Sequence, residues 1–134
     1  MSITGGCLCG ALRYVAQGSP GIAGYCFCAD CRKASGSGFV PFIGFETDAV
    51  TFTGTPRQHR ASSMRGTEAV RNFCGTCGGL VFGGIVGVDI SHTIYGGSLD
   101  EPADFVPRIA IFNRDRPLWV PMPAGLIVHH TMPT

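Results

Sequence analysis

An all-β fold, built from short antiparallel strands in two layers or one folded-over sheet, is what this sequence predicts, and three observations carry the prediction. Twenty Gly and nine Pro among 134 residues leave little room for long helices, because both are poor in helix interiors and frequent in turns and at strand ends. Hydrophobic residues make up 45% and charged ones 14%, the composition of a chain that buries much of its length. The β-branched and aromatic segments are short, with turn residues between them. A chain of this length predicts one domain over residues 1–134.

Residues 11–17 mix β-branched and aromatic side chains around Arg13 and read as the first strand, closed by the turn Gly18-Ser19-Pro20-Gly21. Residues 22–28 read as a second strand that runs into a cysteine knuckle. The polar stretch 30–34, bounded by Ser35-Gly36-Ser37-Gly38, is at best one or two helical turns. Strands follow at 39–45 and 50–53, the second ended by Gly54-Thr55-Pro56, and then at 56–60, 70–73, 80–82, 92–95 and 109–112. Trp119, Phe39, Phe42, Phe45 and Phe82 are assigned to the core, with an aromatic pocket wall as the lesser alternative.

Ten Lys plus Arg against nine Asp plus Glu give a net charge of +1 and scattered basic residues, which argues against a nucleic-acid partner. No stretch approaches the ~20 mostly apolar residues of a spanning helix, so no membrane partner is expected. The start, Met1-Ser2-Ile3-Thr4-Gly5-Gly6-Cys7, has neither the basic cluster nor the apolar run of a signal peptide, which predicts a cytoplasmic location. There thiols stay reduced, and clustered cysteines serve metals or catalysis more often than disulfides.

Seven cysteines fall into three groups: Cys7 and Cys9, then Cys26, Cys28 and Cys31, then Cys74 and Cys77. Cys74-Gly75-Thr76-Cys77-Gly78 is a knuckle that offers two thiolates on one turn, the usual half of a structural zinc site. Cys7 and Cys9, two apart on an extended segment, put both sulfurs on one face and supply a second half. The seven ligands then divide as four plus three, or two zinc ions per chain. A three-thiolate site leaves a fourth position for an incoming group, and a zinc-bound thiol loses its proton, so the chemistry predicted at Cys26, Cys28 and Cys31 is thiolate chemistry. Two alternatives stand beside it. The triplet is a second structural site completed by His59, His92, His129 or His130, or it forms a reversible disulfide with a spare thiol.

Taken together, Cys7-x-Cys9-Gly10, Leu12-Arg13-Tyr14, Cys26-x-Cys28-x-x-Cys31-Arg32-Lys33-x-x-Gly36, Arg71-x-Phe73-Cys74-x-x-Cys77-Gly78 and Gly97-Ser98-Leu99-Asp100 resemble the glutathione-dependent formaldehyde-activating enzyme family, which is related to centromere protein V. The resemblance implies an Mss4-like β-tent, with structural zinc on Cys7, Cys9, Cys74 and Cys77 and a looser zinc on Cys26, Cys28 and Cys31. It also implies a carbon–sulfur lyase that joins glutathione, or a similar thiol, to formaldehyde or another small aldehyde. The alternative is a non-catalytic, zinc-stabilised module that binds glutathione or a protein. Relatives often carry His where this chain has Phe27 and Ala110, so two polar groups are expected to be missing near the triplet.

Arg32 and Lys33 follow the last cysteine of the triplet and are candidates to hold a glutathione carboxylate, against the alternative of a solvated turn. Ser62 and Ser63 resemble a Ser-Ser step of the family and bind the same carboxylate or cap a turn. Arg13 and Arg71 are read as structural, with stems on a sheet face and heads in water.

Overall fold

A computed structural model of the chain describes residues 2–133. Its elements follow as β1 (Ser2–Gly6), β2 (Arg13–Gln17), β3 (Ala23–Cys26), α1 (Ala29–Ser35), β4 (Val40–Glu46), β5 (Val50–Thr53), β6 (Arg57–Ser62), β7 (Glu68–Phe73), β8 (Leu80–Gly83), β9 (Ser91–Tyr95), β10 (Ile109–Ile111) and β11 (Ile127–Val128). Strands β1, β2 and β5 form a small antiparallel sheet. The other eight form a large sheet in the order β11-β10-β3-β4-β9-β8-β7-β6. The pair makes the folded-over β-tent that the sequence predicts.

Two strands lie outside the predicted set. Strand β1, Ser-Ile-Thr-Gly-Gly, has weak strand propensity, yet it pairs with β2 along its whole length, from Ser2 opposite Gln17 to Gly6 opposite Arg13. Pairing, not local preference, makes it a strand. Strand β11 runs parallel to β10, and β10 runs parallel to β3, so the large sheet is mixed rather than purely antiparallel. The segment that carries His129 and His130 is thereby tied to the sheet, with the His129 amide donating to the carbonyl of Ala110 at 2.8 Å.

Period-two alternation gives β4 and β9 two different faces. Ile43, Phe45 and Ile94 point toward the small sheet and meet Ile3, Leu12, Tyr14 and Ala16 in the main core, together with Phe82. Buried polar groups there are paired: the Tyr14 hydroxyl with Ser98 Oγ at 2.8 Å, and His92 Nδ1 with the Gly83 carbonyl at 3.1 Å. The Asn72 side-chain amide donates to the carbonyls of Phe82 and Gly84 at 3.0 and 2.7 Å, beside the irregularity between β7 and β8. On the opposite face Phe42, Gly44, Thr93 and Tyr95 line a cavity. Phe45 and Phe82 are core as predicted, whereas Phe42 is a cavity wall.

Strands β3 and β10 divide in the same way. Cys26, Ile109 and Ile111 cluster on one side, while Phe27 and Ala110 pack with Val120, Tyr25, Phe39, Met122 and Leu126 on the other. Trp119 corrects its core assignment: it is 71% exposed, because the turn before Val120 buries Val120 in its place. Gly24 lets β3 and β10 close, since a Cβ there would overlap the carbonyl oxygen of Ile109. Gly24→Ala is therefore expected to cost about 1–3 kcal/mol of stability. Thermal unfolding should show a Tm lower by several degrees, with amide shifts in β10; an unchanged Tm would contradict this account of the packing.

Candidate metal centres and the adjoining cleft

Cys7 and Cys9 lie on the turn after β1, and Cys74 and Cys77 on the turn after β7. Gly10 and Gly78 close these turns with φ of 83° and 76°, backbone that a side chain would strain. The four sulfurs lie within 4.8 Å of one another, with Cys7 to Cys9 at 3.8 Å and Cys9 to Cys74 at 3.7 Å. Tetrahedral zinc, with Zn–S near ~2.3 Å, needs sulfurs ~3.8 Å apart. Backbone amides already point at them: Leu12 N–H to Cys7 Sγ at 3.3 Å, and Thr76 and Cys77 N–H to Cys74 Sγ at 3.4 and 3.5 Å.

The charges tell the same story. Amides of Cys9 and Gly79 bring the Cys77 thiol down to about 6. The Cys9 thiol is also favoured as an anion by the Ala11 amide, but the neighbouring sulfurs of Cys74, Cys77 and Cys7 outweigh it and push Cys9 up to about 11. Crowded sulfurs resist ionising together, and a divalent cation removes that resistance. Geometry and donor set both fit zinc, and the group could hold it.

The second group forms where β3 runs into α1. Cys26 ends the strand, Cys28 caps the helix by accepting the Cys31 amide at 3.2 Å, and Cys31 sits in the first turn. Their sulfurs also lie within 4.8 Å of one another. Hydrogen bonds from Cys26 and Cys31 bring Cys28 down to about 2, while Cys28, Cys31 and burial push Cys26 up. The trio thus favours one thiolate without a cation and fits a metal as a three-sulfur donor set. Among the described residues no histidine, aspartate or glutamate joins the group. His92 is buried against Gly83, and His59 lines a neighbouring hollow. None of the seven cysteines forms a disulfide.

The triplet opens into a cavity of about 410 Å³ on the free face of the large sheet. Phe42, Ile109, Ile111, Phe112 and Met132 make an apolar wall that packs directly against the sulfurs. A second hollow of about 430 Å³, lined by Lys33, His59, Ser62 and Phe73 among others, shares Asp30 and Arg71 with the first. The two are lobes of one cleft that meet at Arg71, whose Nη2 lies 3.9 Å from Cys31 Sγ. Burial pushes the Tyr95 phenol, which lines the lobe beside the sulfurs, up to about 12.

Several predicted residues converge here. Lys33 and Ser62 line the second lobe, that of His59 and Phe73, and Ser63 the first, beside the sulfurs. Arg32 lines neither, and its Nε is buried without a hydrogen-bond partner among the described residues. Arg13 behaves as a structural residue, half exposed and paired with Asp100, whose carboxyl it holds down to about 2. Arg71 does not: it lines both lobes of the cleft, whereas its neighbour Asn72 is fully buried on the other face of β7. Phe27 and Ala110 are also corrected. Both are fully buried behind β3 and β10, so a side chain at either position faces away from the three sulfurs. The residue between two same-face cysteines must point the other way, a signal the spacing contains. Tyr95, Asp30 and Met132 carry no local signal and were missed.

A comparison with curated proteins found no match. The family model described as glutathione-dependent formaldehyde-activating enzyme matches residues 2–115, a span that holds all seven cysteines, Arg71 and Tyr95. The chain belongs to the glutathione-dependent formaldehyde-activating enzyme family.

Proposed function

We propose that this chain is a zinc-dependent carbon–sulfur lyase-type enzyme, cytoplasmic, that forms and cleaves adducts of glutathione or a similar small thiol with formaldehyde or another small aldehyde. The observation that carries this reading is the contrast between the two cysteine groups: four sulfurs complete one shell, whereas three open onto a cleft. Cys7, Cys9, Cys74 and Cys77 hold the structural zinc, and Cys26, Cys28 and Cys31 the second. Zinc, when bound there, supplies the positive charge that keeps an incoming thiol ionised.

The residues of the cleft do the rest. Lys33 and Ser62, in the second lobe, hold a carboxylate of the thiol, and Ser63 lies on the other side of the seam. Arg32 lines neither lobe and contributes charge rather than a contact. Arg71 stands beside Cys31 and draws the thiolate to the seam. The sulfur adds to the carbonyl carbon, the C=O pair moves onto oxygen, and the oxygen takes the proton that the thiol gave up. Holding both partners at one seam raises their effective concentration.

Exchange NMR of glutathione with ¹³C-formaldehyde tests the reading. Interconversion of adduct and free thiol should be faster with the zinc-loaded protein than with buffer, and Cys28→Ser should fall to the background. Equal rates in all three would leave a binding module instead. Lys33→Met should raise KM for glutathione about ten-fold, the effect of losing one charge-assisted hydrogen bond. Its KM for the uncharged 2-mercaptoethanol should hardly change, and an equal rise for both thiols would remove Lys33 from the carboxylate site.

A further inference from the structure

The lobe beside the sulfurs is larger than a one-carbon aldehyde needs, and one of its walls is apolar. At about 410 Å³ it matches the small-molecule sites that bury a whole ligand, whereas formaldehyde has two heavy atoms and no apolar surface to bury. The wall is also in the wrong place to be incidental. Ile109, Ile111 and Phe112 pack against Cys26 and Cys28, with Phe42 and Met132 beside them, so a molecule that reaches the sulfurs through this lobe lies along that wall. The charged arms of the thiol, placed in the lobe of Lys33 and Ser62, leave the lobe beside the sulfurs free.

Arg71 and Tyr95 are brought into this lobe by the sheet register, beside other polar lining groups that include Arg65, Glu68 and Asp89. Arg71 stands opposite Gly83 across β7 and β8, and Gly83 stands opposite Thr93 across β8 and β9. Because Gly83 has no side chain, the Tyr95 hydroxyl can lean over it; a Cβ there would lie 3.2 Å from that oxygen. Tyr95 is bonded through its backbone carbonyl to Ser98, but its hydroxyl makes no hydrogen bond to another described residue. A free phenol and a guanidinium thus face the lobe near the sulfurs, where a carbonyl oxygen needs donors.

We propose that the electrophile is an aldehyde with an aliphatic or aromatic chain, its chain on the wall of Phe42, Ile111 and Met132 and its carbonyl oxygen toward Tyr95 and Arg71. This rests on the lyase reading above and names its second substrate. The thiolate sulfur bonds to the carbonyl carbon, and the C=O pair goes to the oxygen that Tyr95 holds. That oxygen is protonated by the proton the thiol released, so RSH and R′CHO give RS–CH(OH)R′ with no redox step. A longer aldehyde also answers a chemical objection: thiols add to formaldehyde readily unaided, whereas alkyl substitution makes the carbonyl less electrophilic and leaves a barrier to lower.

The test measures glutathione adduct formation by exchange NMR with formaldehyde, propanal, hexanal and benzaldehyde, each rate divided by its uncatalysed rate. For the zinc-loaded wild type the acceleration should climb with chain length, by about three- to four-fold per buried methylene. Met132→Asp and Phe42→Ser should flatten the climb, and Tyr95→Phe should lower kcat along the whole series. An acceleration greatest for formaldehyde and falling with chain length would overturn the proposal and leave the lyase reading intact. A second arm needs no turnover: hexanamide, an unreactive chain analogue, is titrated against the Met132 methyl resonance with formamide as control. A saturable shift with hexanamide alone supports the apolar wall as the chain site, and no shift overturns it. If hexanamide binds but no aldehyde is accelerated, it is the lyase reading that fails, and the assignment of the occupant as an electrophile falls with it.

Discussion

Four sulfurs crowded together, with neighbours 3.7 and 3.8 Å apart, join the two sheets, and the rest of the fold depends on how their charge is balanced. Two come from the turn between β1 and β2 of the small sheet and two from the turn between β7 and β8 of the large one. Thiolates at that spacing repel unless a cation sits among them, so a bound zinc acts as a clamp between layers. The apolar core between the sheets is modest in depth, with Leu12 and Tyr14 set against Phe45, Phe82 and Ile94. A metal held by ligands that only the folded chain brings together adds its binding free energy to folding.

With the layers clamped at one edge, the large sheet has one face for the core and one left over. The left-over face is where the second cysteine group, Arg71 and Tyr95 meet. Strand alternation does this economically: Ile94 packs inward and its neighbour Tyr95 looks into the cleft. Behind β3 and β10, Phe27 and Ala110 fill a separate apolar cluster that supports the strand carrying Cys26 and the turn carrying Cys28. The chain thus keeps its two cysteine groups apart by putting them on different elements and different faces.

Much of this was legible in the sequence because the relevant spacing is local. Cys26, Cys28 and Cys31 lie on one strand end and one helical turn, and the knuckle of Cys74 and Cys77 needs only the glycine that follows it. The partition into four and three needed counting alone. Other parts depend on registers that no local pattern encodes. Tyr95 lines the cleft only because β9 pairs with both β4 and β8, and Arg71 nears Cys31 only because β7 follows β8 in the sheet. Strand β1 exists through its pairing with β2, and Met132 arrives at the cleft because β11 adds beside β10. Trp119 was misplaced because its size suggests burial, whereas its turn leaves the ring on the surface and rests it on Gly38.

The central claim is that one cysteine group is a closed, structural site and the other an open, exchangeable one. Timed zinc release to a chromophoric chelator, followed together with far-UV circular dichroism, tests it most directly. Two zinc ions per chain should leave in two phases, the first fast with the β-sheet signal intact and the second only as that signal collapses. Release of both metals in a single phase coincident with unfolding would contradict the account, because it would make both sites structural.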